Sequence, residues 1–283
     1  MGKVVKKKKN IRIRPSTILI YIFLSLGAII MIFPFIYMIL ASFKGTAEIY
    51  AYPPTIIPRA PTFDNYKTVL IELNFSKFLI NSIVVAVTKT ILIVYTSALV
   101  GFVLQKIKFK GRETIFIFIL ITMMVPWPII ILPLFELMVK LHWYNNYFSI
   151  YIPYIFNSFG IFLMRQSMFS ISDETIDSAR MDGATPFRIF HSIVLPQLGP
   201  SLSALSIFIF LFMWDDFLFP YLMLVSAKLY TIPVALSLFK GVWYDNVPGS
   251  ITASVFAVVP IFIFYFFAQK SFISGMSFSG VNE

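Results

Sequence analysis

Residues 18–40 read ILIYIFLSLGAIIMIFPFIYMIL, and no charged side chain occurs between Arg14 and Lys44. About 20 consecutive apolar residues are enough for a helix to cross the hydrocarbon core of a bilayer. The run is longer than the roughly 7–15 apolar residues of a cleaved signal peptide, so we expect this helix to be retained. This segment alone predicts a membrane protein.

Five further apolar runs follow along the chain. The second is interrupted only by Lys89, and the fifth contains Asp215 and Asp216. Three prolines are expected to kink the third run, namely Pro126, Pro128 and Pro133. All the runs are apolar at both odd and even positions, which argues against membrane β-strands. The sequence therefore predicts an all-α polytopic membrane protein with six transmembrane helices, at residues 16–42, 78–105, 114–139, 147–168, 201–225 and 251–269.

The composition supports this fold class. Of the 283 residues, 58% are hydrophobic and 13% are charged, whereas soluble domains carry about 25% charged residues. This excludes a water-soluble enzyme, a disordered chain and a collagen-like repeat. The chain has no cysteine and two histidines, so neither disulfides nor a multi-histidine metal centre is expected.

The basic residues predict the orientation, because loops rich in Lys and Arg stay in the cytoplasm. With six spans, 15 basic residues fall on the side of the two termini and 7 on the other. We therefore expect a multi-pass protein of the cell membrane, and we assign the net charge of +10 to lipid rather than to nucleic acid. The predicted cytoplasmic segments are 1–15, 106–113, 169–200 and 270–283, and the predicted external loops are 43–77, 140–146 and 226–250.

The longest predicted cytoplasmic loop contains the sequence SISDETIDSARMDGATPF, residues 170–187. Ser172 is a suitable N-cap for a short helix, and Gly183 is suitable as the glycine that ends it. Thr185 can cap a second helix that has Pro186 at its first position. The loop is therefore predicted to form two short helices that meet at a glycine, exposed outside the membrane.

This loop resembles the cytoplasmic motif of the permease subunits of ATP-binding-cassette importers, which runs Glu-Ala-Ala, three residues, Gly, nine residues, Ile-x-Leu-Pro. Here Asp177-Ser178-Ala179 is followed by Gly183 and then by Ile193-Val194-Leu195-Pro196, at the same spacing. Other segments resemble the carbohydrate importers of the maltose-transporter type, including Ser42-Phe43-Lys44, Asn65-Tyr66 and Trp214-Asp215-Asp216-Phe217. Several spaced motifs that agree are stronger evidence than one motif alone.

The resemblance implies the permease fold of these importers, with both termini cytoplasmic. It implies a homologous partner permease, two cytoplasmic ATPase subunits and an extracytoplasmic solute-binding protein. The chain has no phosphate-binding loop of the form G-x-x-x-x-G-K-[ST], so ATP and Mg are expected on the partner ATPase subunits. No catalytic residue, metal ligand or cofactor is therefore assigned to this chain.

The resemblance also implies which residues contact the ATPase. In the loop they are Glu174, Asp177, Ser178, Ala179, Arg180, Asp182, Gly183, Ala184, Ile193, Leu195 and Pro196, and in the C-terminal tail they are Gly275 and Gly280. Asp177 is one methylene shorter than the usual glutamate. It is still expected to form a salt bridge with a basic residue of the ATPase, but its side chain reaches less far.

Six polar or aromatic residues in the predicted spans are candidates for the solute pathway or for buried structural contacts: Asn81, Lys89, Asn157, Trp214, Asp215 and Asp216. Charged side chains at membrane depth face protein, water or a partner rather than lipid. Lys89 is expected to pair with Glu136 or with one of the two aspartates. The two asparagines are expected to hydrogen-bond to neighbouring helices.

The leading functional interpretation is import of a sugar, most simply an oligosaccharide. One alternative is the same machinery importing glycerol phosphate or another polyol, which for a phosphate would require a cation in the cavity. A second alternative, from another class, is a polytopic membrane enzyme. Its only hint is the pair of adjacent carboxyl groups at Asp215 and Asp216.

Overall fold

The computed structural model describes residues 15–239 and 246–277, with side chains for 16–239 and 246–266. No strand occurs among these residues. The α-helices in the described ranges are α1 (Pro15–Ser42), α2 (Thr46–Ile49), α3 (Asp64–Lys67), α4 (Phe75–Lys106), α5 (Arg112–Met123), α6 (Trp127–Lys140), α7 (Tyr147–Tyr151), α8 (Ser158–Ser167), α9 (Asp173–Met181), α10 (Pro186–Ile189), α11 (Leu195–Gln197), α12 (Gly199–Trp214), α13 (Leu218–Met223), α14 (Ile232–Ser237) and α15 (Val247–Ser277). The predicted all-α fold class is confirmed.

Three helices, α1, α4 and α15, are each long and apolar enough to cross a membrane. Three bent pairs also meet this test when each pair is counted as one span, so by length and apolar character the described residues contain three to six candidate membrane spans. The bends are 102° between α5 and α6, 41° between the segments Tyr147–Tyr154 and Ser158–Ser170, and 81° between the segments Pro186–Gln197 and Gly199–Trp214.

The third predicted helix, residues 114–139, is therefore two helices and not one kinked helix. The helix α5 ends at Met123, and α6 begins at Trp127 after Pro126 in an extended conformation. Proline lacks the backbone N–H and disfavours helical geometry at the residue before it, so Val125 and Pro126 interrupt the helix. The fourth predicted helix, 147–168, is likewise broken before Asn157, whose extended backbone begins α8.

The fifth predicted helix, 201–225, ends earlier than the apolar run suggests. The helix α12 stops at Trp214, and the shorter α13 starts at Leu218. Asp215 and Asp216 therefore lie in the connection between two helices, not inside one. The backbone next to these two carboxyl groups is therefore non-helical.

The helix α4 lies at the centre of the structure. It packs against α8 and α12, α12 packs against α15, and α15 packs against α1. Glycine permits the close approach of α4 and α8: a Cβ atom added to Gly101 would lie 2.9 Å from the backbone nitrogen of Arg165. Small residues at such contacts let helices approach closely in membranes, where dispersion forces replace the hydrophobic effect.

A buried arginine joins three of these helices at one end of the bundle. Arg165 in α8 is 7% exposed and donates two hydrogen bonds to the carboxylate of Glu113, at 2.7 and 2.8 Å. It also donates to Gln105 at 3.2 Å, and its guanidinium lies 3.8 Å from the ring centroid of Phe116. The ends of α4, α5 and α8 are therefore held together by one side chain.

The segment between α1 and α4 has short helices and ordered turns. Asn65 donates to the backbone carbonyls of Ser42 at 3.0 Å and Lys44 at 2.8 Å, and the hydroxyls of Ser42 and Tyr66 lie 2.7 Å apart. The buried ammonium of Lys44 donates to the carbonyl of Thr55. The motif segments Ser42-Phe43-Lys44 and Asn65-Tyr66 therefore form one structural unit.

Candidate functional site

The exposed segment that contains α9 and α10 has the helix ends that its sequence predicts. The Ser172 hydroxyl accepts from the backbone N–H of Glu174 at 3.1 Å, and the Thr185 hydroxyl accepts from that of Arg188 at 3.3 Å. Gly183 lies at φ +79°, in the left-handed region that favours glycine. Both caps and the glycine stop are confirmed.

The backbone hydrogen bonds around Gly183 form a Schellman motif. The N–H of Gly183 donates to the carbonyl of Arg180, and that of Ala184 donates to the carbonyl of Ala179, both at 3.0 Å. These bonds satisfy carbonyls at the end of α9 that have no partner within the helix. The turn therefore sets the direction in which α10 leaves α9.

The helix α9 is anchored on one side and exposed on the others. Ile176 is 2% exposed and belongs to the main hydrophobic core. Glu174, Asp177, Ser178, Arg180, Asp182 and Gly183 are exposed, and Ala179 and Ala184 are partly buried against the core. The predicted contact residues thus form an outward-facing surface on a helix whose opposite side is fixed.

The two halves of the motif meet in space. After α10 a π-helical turn, Phe190–Val194, leads into α11, which contains Leu195 and Pro196. Ile193 lines an open cleft together with Ala179, Asp182 and Ala184 of the first half. Leu195 packs against the core, and Pro196 is exposed. The nine residues between Gly183 and Ile193 therefore bring the second half of the motif back against the first half.

Two apolar side chains project from this segment. Met181, at the end of α9, is 89% exposed, and Phe187, in α10, is 66% exposed. Neither was singled out as a contact residue from the sequence. The sequence feature that could have identified them is a large apolar side chain near a helix end in a polar loop. Exposed apolar residues of this kind often mark a docking surface.

Asp177 has a partner within its own helix. Its carboxylate accepts from the guanidinium of Arg180 at 2.8 Å, one turn away, and both side chains are well exposed. Exposed pairs of this type contribute little to stability, about 0.3–0.5 kcal/mol. The salt bridge expected between Asp177 and an ATPase subunit stays a prediction, and Arg180 would share that carboxylate.

A buried ion pair lies in the middle of the bundle. Lys89 in α4 is 1% exposed, and its ammonium lies 2.7 Å from a carboxylate oxygen of Asp216. The ammonium also lies 4.1 Å from the ring centroid of Tyr154. Of the three carboxyl groups considered from the sequence, the partner is Asp216. Asp215 and Glu136 are exposed.

The remaining candidates have structural contacts in this conformation. Trp214 is 3% exposed, and its indole N–H donates to the carbonyl of Ala257 at 3.0 Å, which joins α12 to α15. Asn81 donates to the carbonyls of Lys228 and Tyr230, both at 2.9 Å. It therefore bonds to the segment that precedes α14, and not to a neighbouring membrane helix as predicted.

Asn157 bonds within its own helix rather than across to another, because it accepts from the N–H of Gly160 at 2.8 Å and so caps α8. Gly275 lies in α15 where only the backbone is described, and Gly280 lies outside the described residues. In the described part of the chain, no group of three or more His, Asp or Glu side chains could hold a metal ion.

Comparisons with known proteins agree with this geometry. Residues 97–277 match the family model described as "Binding-protein-dependent transport system inner membrane component". The chain is 36% identical over 264 residues to the arabinooligosaccharides transport system permease protein AraQ of Bacillus subtilis (strain 168), covering 92% of this chain and 94% of that protein. It is 34% identical to the trehalose/maltose transport system permease protein MalG of Thermococcus litoralis, with 92% and 95% covered.

A solved structure is also similar. It is the crystal structure of a bacterial ABC transporter involved in the import of the acidic polysaccharide alginate. The TM-score is 0.81 at 22% identity, and the match covers 95% of this chain and 99% of the other. This likeness shows a shared fold. The chain is therefore a multi-pass membrane protein that belongs to the family of inner membrane components of binding-protein-dependent transport systems.

Proposed function

We propose that this chain is one of two permease subunits that form the pathway for a sugar, most simply an oligosaccharide, across the cell membrane. Two cytoplasmic ATPase subunits supply the energy, and an extracytoplasmic binding protein delivers the solute. The names of relatives at 36% and 34% identity, which refer to arabinooligosaccharides and to trehalose and maltose, support the sugar class.

The observation that carries the proposal is the exposed segment formed by α9 and α10. It presents Met181 and Phe187 beside the charged residues Asp177 and Arg180, on helices whose directions are fixed by caps and a glycine turn. Apolar anchors surrounded by polar groups are typical of sites that dock into a groove of a partner protein. The partner proposed for this segment is the ATPase subunit.

The orientation proposed for the chain places this segment and both termini in the cytoplasm. The contact between α9 and the end of α4 supports this orientation. Lys106 lies 2.6 Å from Asp173, so the segment after α4 and the segment before α9 must lie on the same side of the membrane. Both segments belong to the side with more basic residues, which favours the cytoplasm.

The connection between α12 and α13 is the proposed point of contact with the solute. Non-helical backbone at membrane depth is tolerated where it is buried in protein or lines a water-filled cavity. Asp215 lies in this connection and is exposed. Its carboxylate would face the pathway and accept hydrogen bonds from sugar hydroxyls, while Asp216 is neutralised by Lys89.

The same ion pair weakens the two alternatives. The ammonium of Lys89 is buried and paired, so it is not free to bind the phosphate group of glycerol phosphate. The membrane-enzyme alternative rests on the adjacent carboxyl groups of Asp215 and Asp216, and the Asp216 carboxylate is already paired with Lys89. The sugar importer is the function that these contacts support best.

The test is the ATPase activity of the whole complex, reconstituted in lipid with its partner permease, ATPase subunits and binding protein. We expect an oligosaccharide from a panel of arabinooligosaccharides, maltose and trehalose to raise ATP hydrolysis when the binding protein is present. Glycerol 3-phosphate serves as the control ligand. Stimulation by glycerol 3-phosphate and by none of the sugars would contradict the proposed substrate class.

A further inference from the structure

The start of α9 is held by the last residue of α4. The ammonium of Lys106 donates to the carbonyl of Ile171 and to the carboxylate of Asp173, each at 2.6 Å. The Lys106 side chain is only 4% exposed. Hydrogen bonding to this ammonium lowers the pKa of the Asp173 carboxyl below its ordinary value, and the attraction between the two charges adds to the effect.

The last turn of α9 is held by the same residue. The guanidinium of Arg180 donates to the backbone carbonyl of Lys106 at 2.9 Å and, through its other terminal nitrogen, to Asp177. Both ends of α9 are therefore bonded to one residue of α4. We call Lys106, Asp173 and Arg180 the Lys106 clamp.

Within the clamp, the ammonium of Lys106 carries most of the constraint. A buried charge is costly unless it is paired and hydrogen-bonded, so the position of Lys106 and that of its acceptors are tied together. Arg180 is 42% exposed in its side chain, and exposed charge pairs are weak. Loss of the Lys106 ammonium would leave the Ile171 carbonyl without this donor and free the start of α9.

The helix α4 connects the clamp to the break in the fifth span. It is one continuous helix from Phe75 to Lys106. Lys89, which pairs with Asp216, lies 17 residues before Lys106, or about 25 Å at a rise of 1.5 Å per residue. A displacement of α9 that is passed to α4 would therefore reach the residues beside Asp215.

We propose that Lys106 is a positioning residue for energy coupling. It fixes α9 to α4, so that a movement imposed on α9 by the ATPase is transmitted to the membrane helices and not absorbed by rotation at Ile171 and Ser172. The inference rests on the proposed function, since it requires an ATPase partner at α9.

The experiment compares Lys106→Met, Lys106→Arg and Lys110→Met in the reconstituted complex, and measures ATPase retention, ATP hydrolysis and sugar transported per ATP. Lys110→Met is the matched control, because it removes an exposed charge from the same loop. We expect Lys106→Met to retain the ATPase but to transport about tenfold less sugar per ATP, within the range of measured coupling between sites. Lys106→Arg keeps the charge and the donors and is expected to restore most of the ratio.

An unchanged transport ratio in Lys106→Met would overturn the inference. If that variant fails to assemble, Asp173→Asn decides. Asparagine keeps an oxygen that can accept from the Lys106 ammonium, but it removes the carboxylate charge that pairs with that ammonium and so weakens the clamp. A normal ratio in Asp173→Asn would then overturn the inference, and a reduced ratio would support it. If the unmodified complex shows no sugar-dependent ATP hydrolysis, the proposed function fails instead, which is a distinguishable result.

Discussion

Replacing Gly183 with valine is expected to detach the ATPase subunits from the membrane complex while the bundle of helices remains inserted. Gly183 lies at φ +79°, and a Cβ atom there would meet no other atom within 4 Å. The penalty therefore comes from the backbone and not from crowding. Left-handed geometry costs an L-residue about 1–2 kcal/mol, and a β-branched side chain is especially unfavourable there.

Relief of this strain would change the direction of α10 relative to α9 and so move Phe187 relative to Met181. A cost of about 1.4 kcal/mol weakens binding tenfold. We therefore expect the amount of ATPase that co-purifies to fall about tenfold or more. Gly183→Asn is the matched variant, because asparagine tolerates the left-handed region, and it should bind nearly normally. Gly27→Val is the control for a glycine in open helical surroundings. Full ATPase retention by Gly183→Val would show that this turn does not position the docking surface.

Replacing Lys89 with glutamate is expected to prevent assembly of the complex. The substitution places a second carboxylate beside Asp216 in a buried site. Removing one partner of a buried ion pair costs about 3–5 kcal/mol, and adding a like charge is worse. Lys89→Met should be milder, because Asp216 can take up a proton, and the double variant Lys89→Met with Asp216→Asn should recover part of the loss.

The measurement is the yield and the thermal unfolding midpoint of the purified complex for each variant. Lys67→Glu makes the same change at an exposed position and should leave both quantities nearly unchanged. Equal losses in Lys89→Met and Lys89→Glu, with no recovery in the double variant, would contradict a structural pair.

The exposed segment formed by α9 and α10 was predictable from the sequence, because the residues that determine its helix ends are local. Ser172, Thr185 and Gly183 each act on a backbone group within a few residues, so their spacing alone defines the two helices. Lys106 gave no such signal. Its acceptors lie 65 and 67 residues away, and from the sequence it counted only as one basic residue of a cytoplasmic loop.

The long helices were predictable from hydropathy, but the breaks in the shorter ones were not. The residues on both sides of Val125 are equally apolar, so hydropathy cannot show that the chain turns by 102° there. The prolines predicted a kink in this helix, but they did not predict the angle of the bend. Asp216 lies in the connection that follows α12, and its partner Lys89 is 127 residues away, so no local pattern reports this contact.

The central claim, that α9 and α10 connect this chain to a cytoplasmic ATPase, is tested most directly by disulfide cross-linking at Met181. The chain contains no cysteine, and Met181 is 89% exposed, so Met181→Cys introduces a single accessible thiol. In complexes whose ATPase subunit carries single cysteines along its membrane-facing groove, we expect an oxidant-dependent cross-link at one or two adjacent groove positions, and no labelling of the thiol by an impermeant reagent in intact cells. Labelling from outside the cell, or the absence of any cross-link in a complex that still transports sugar, would contradict the account.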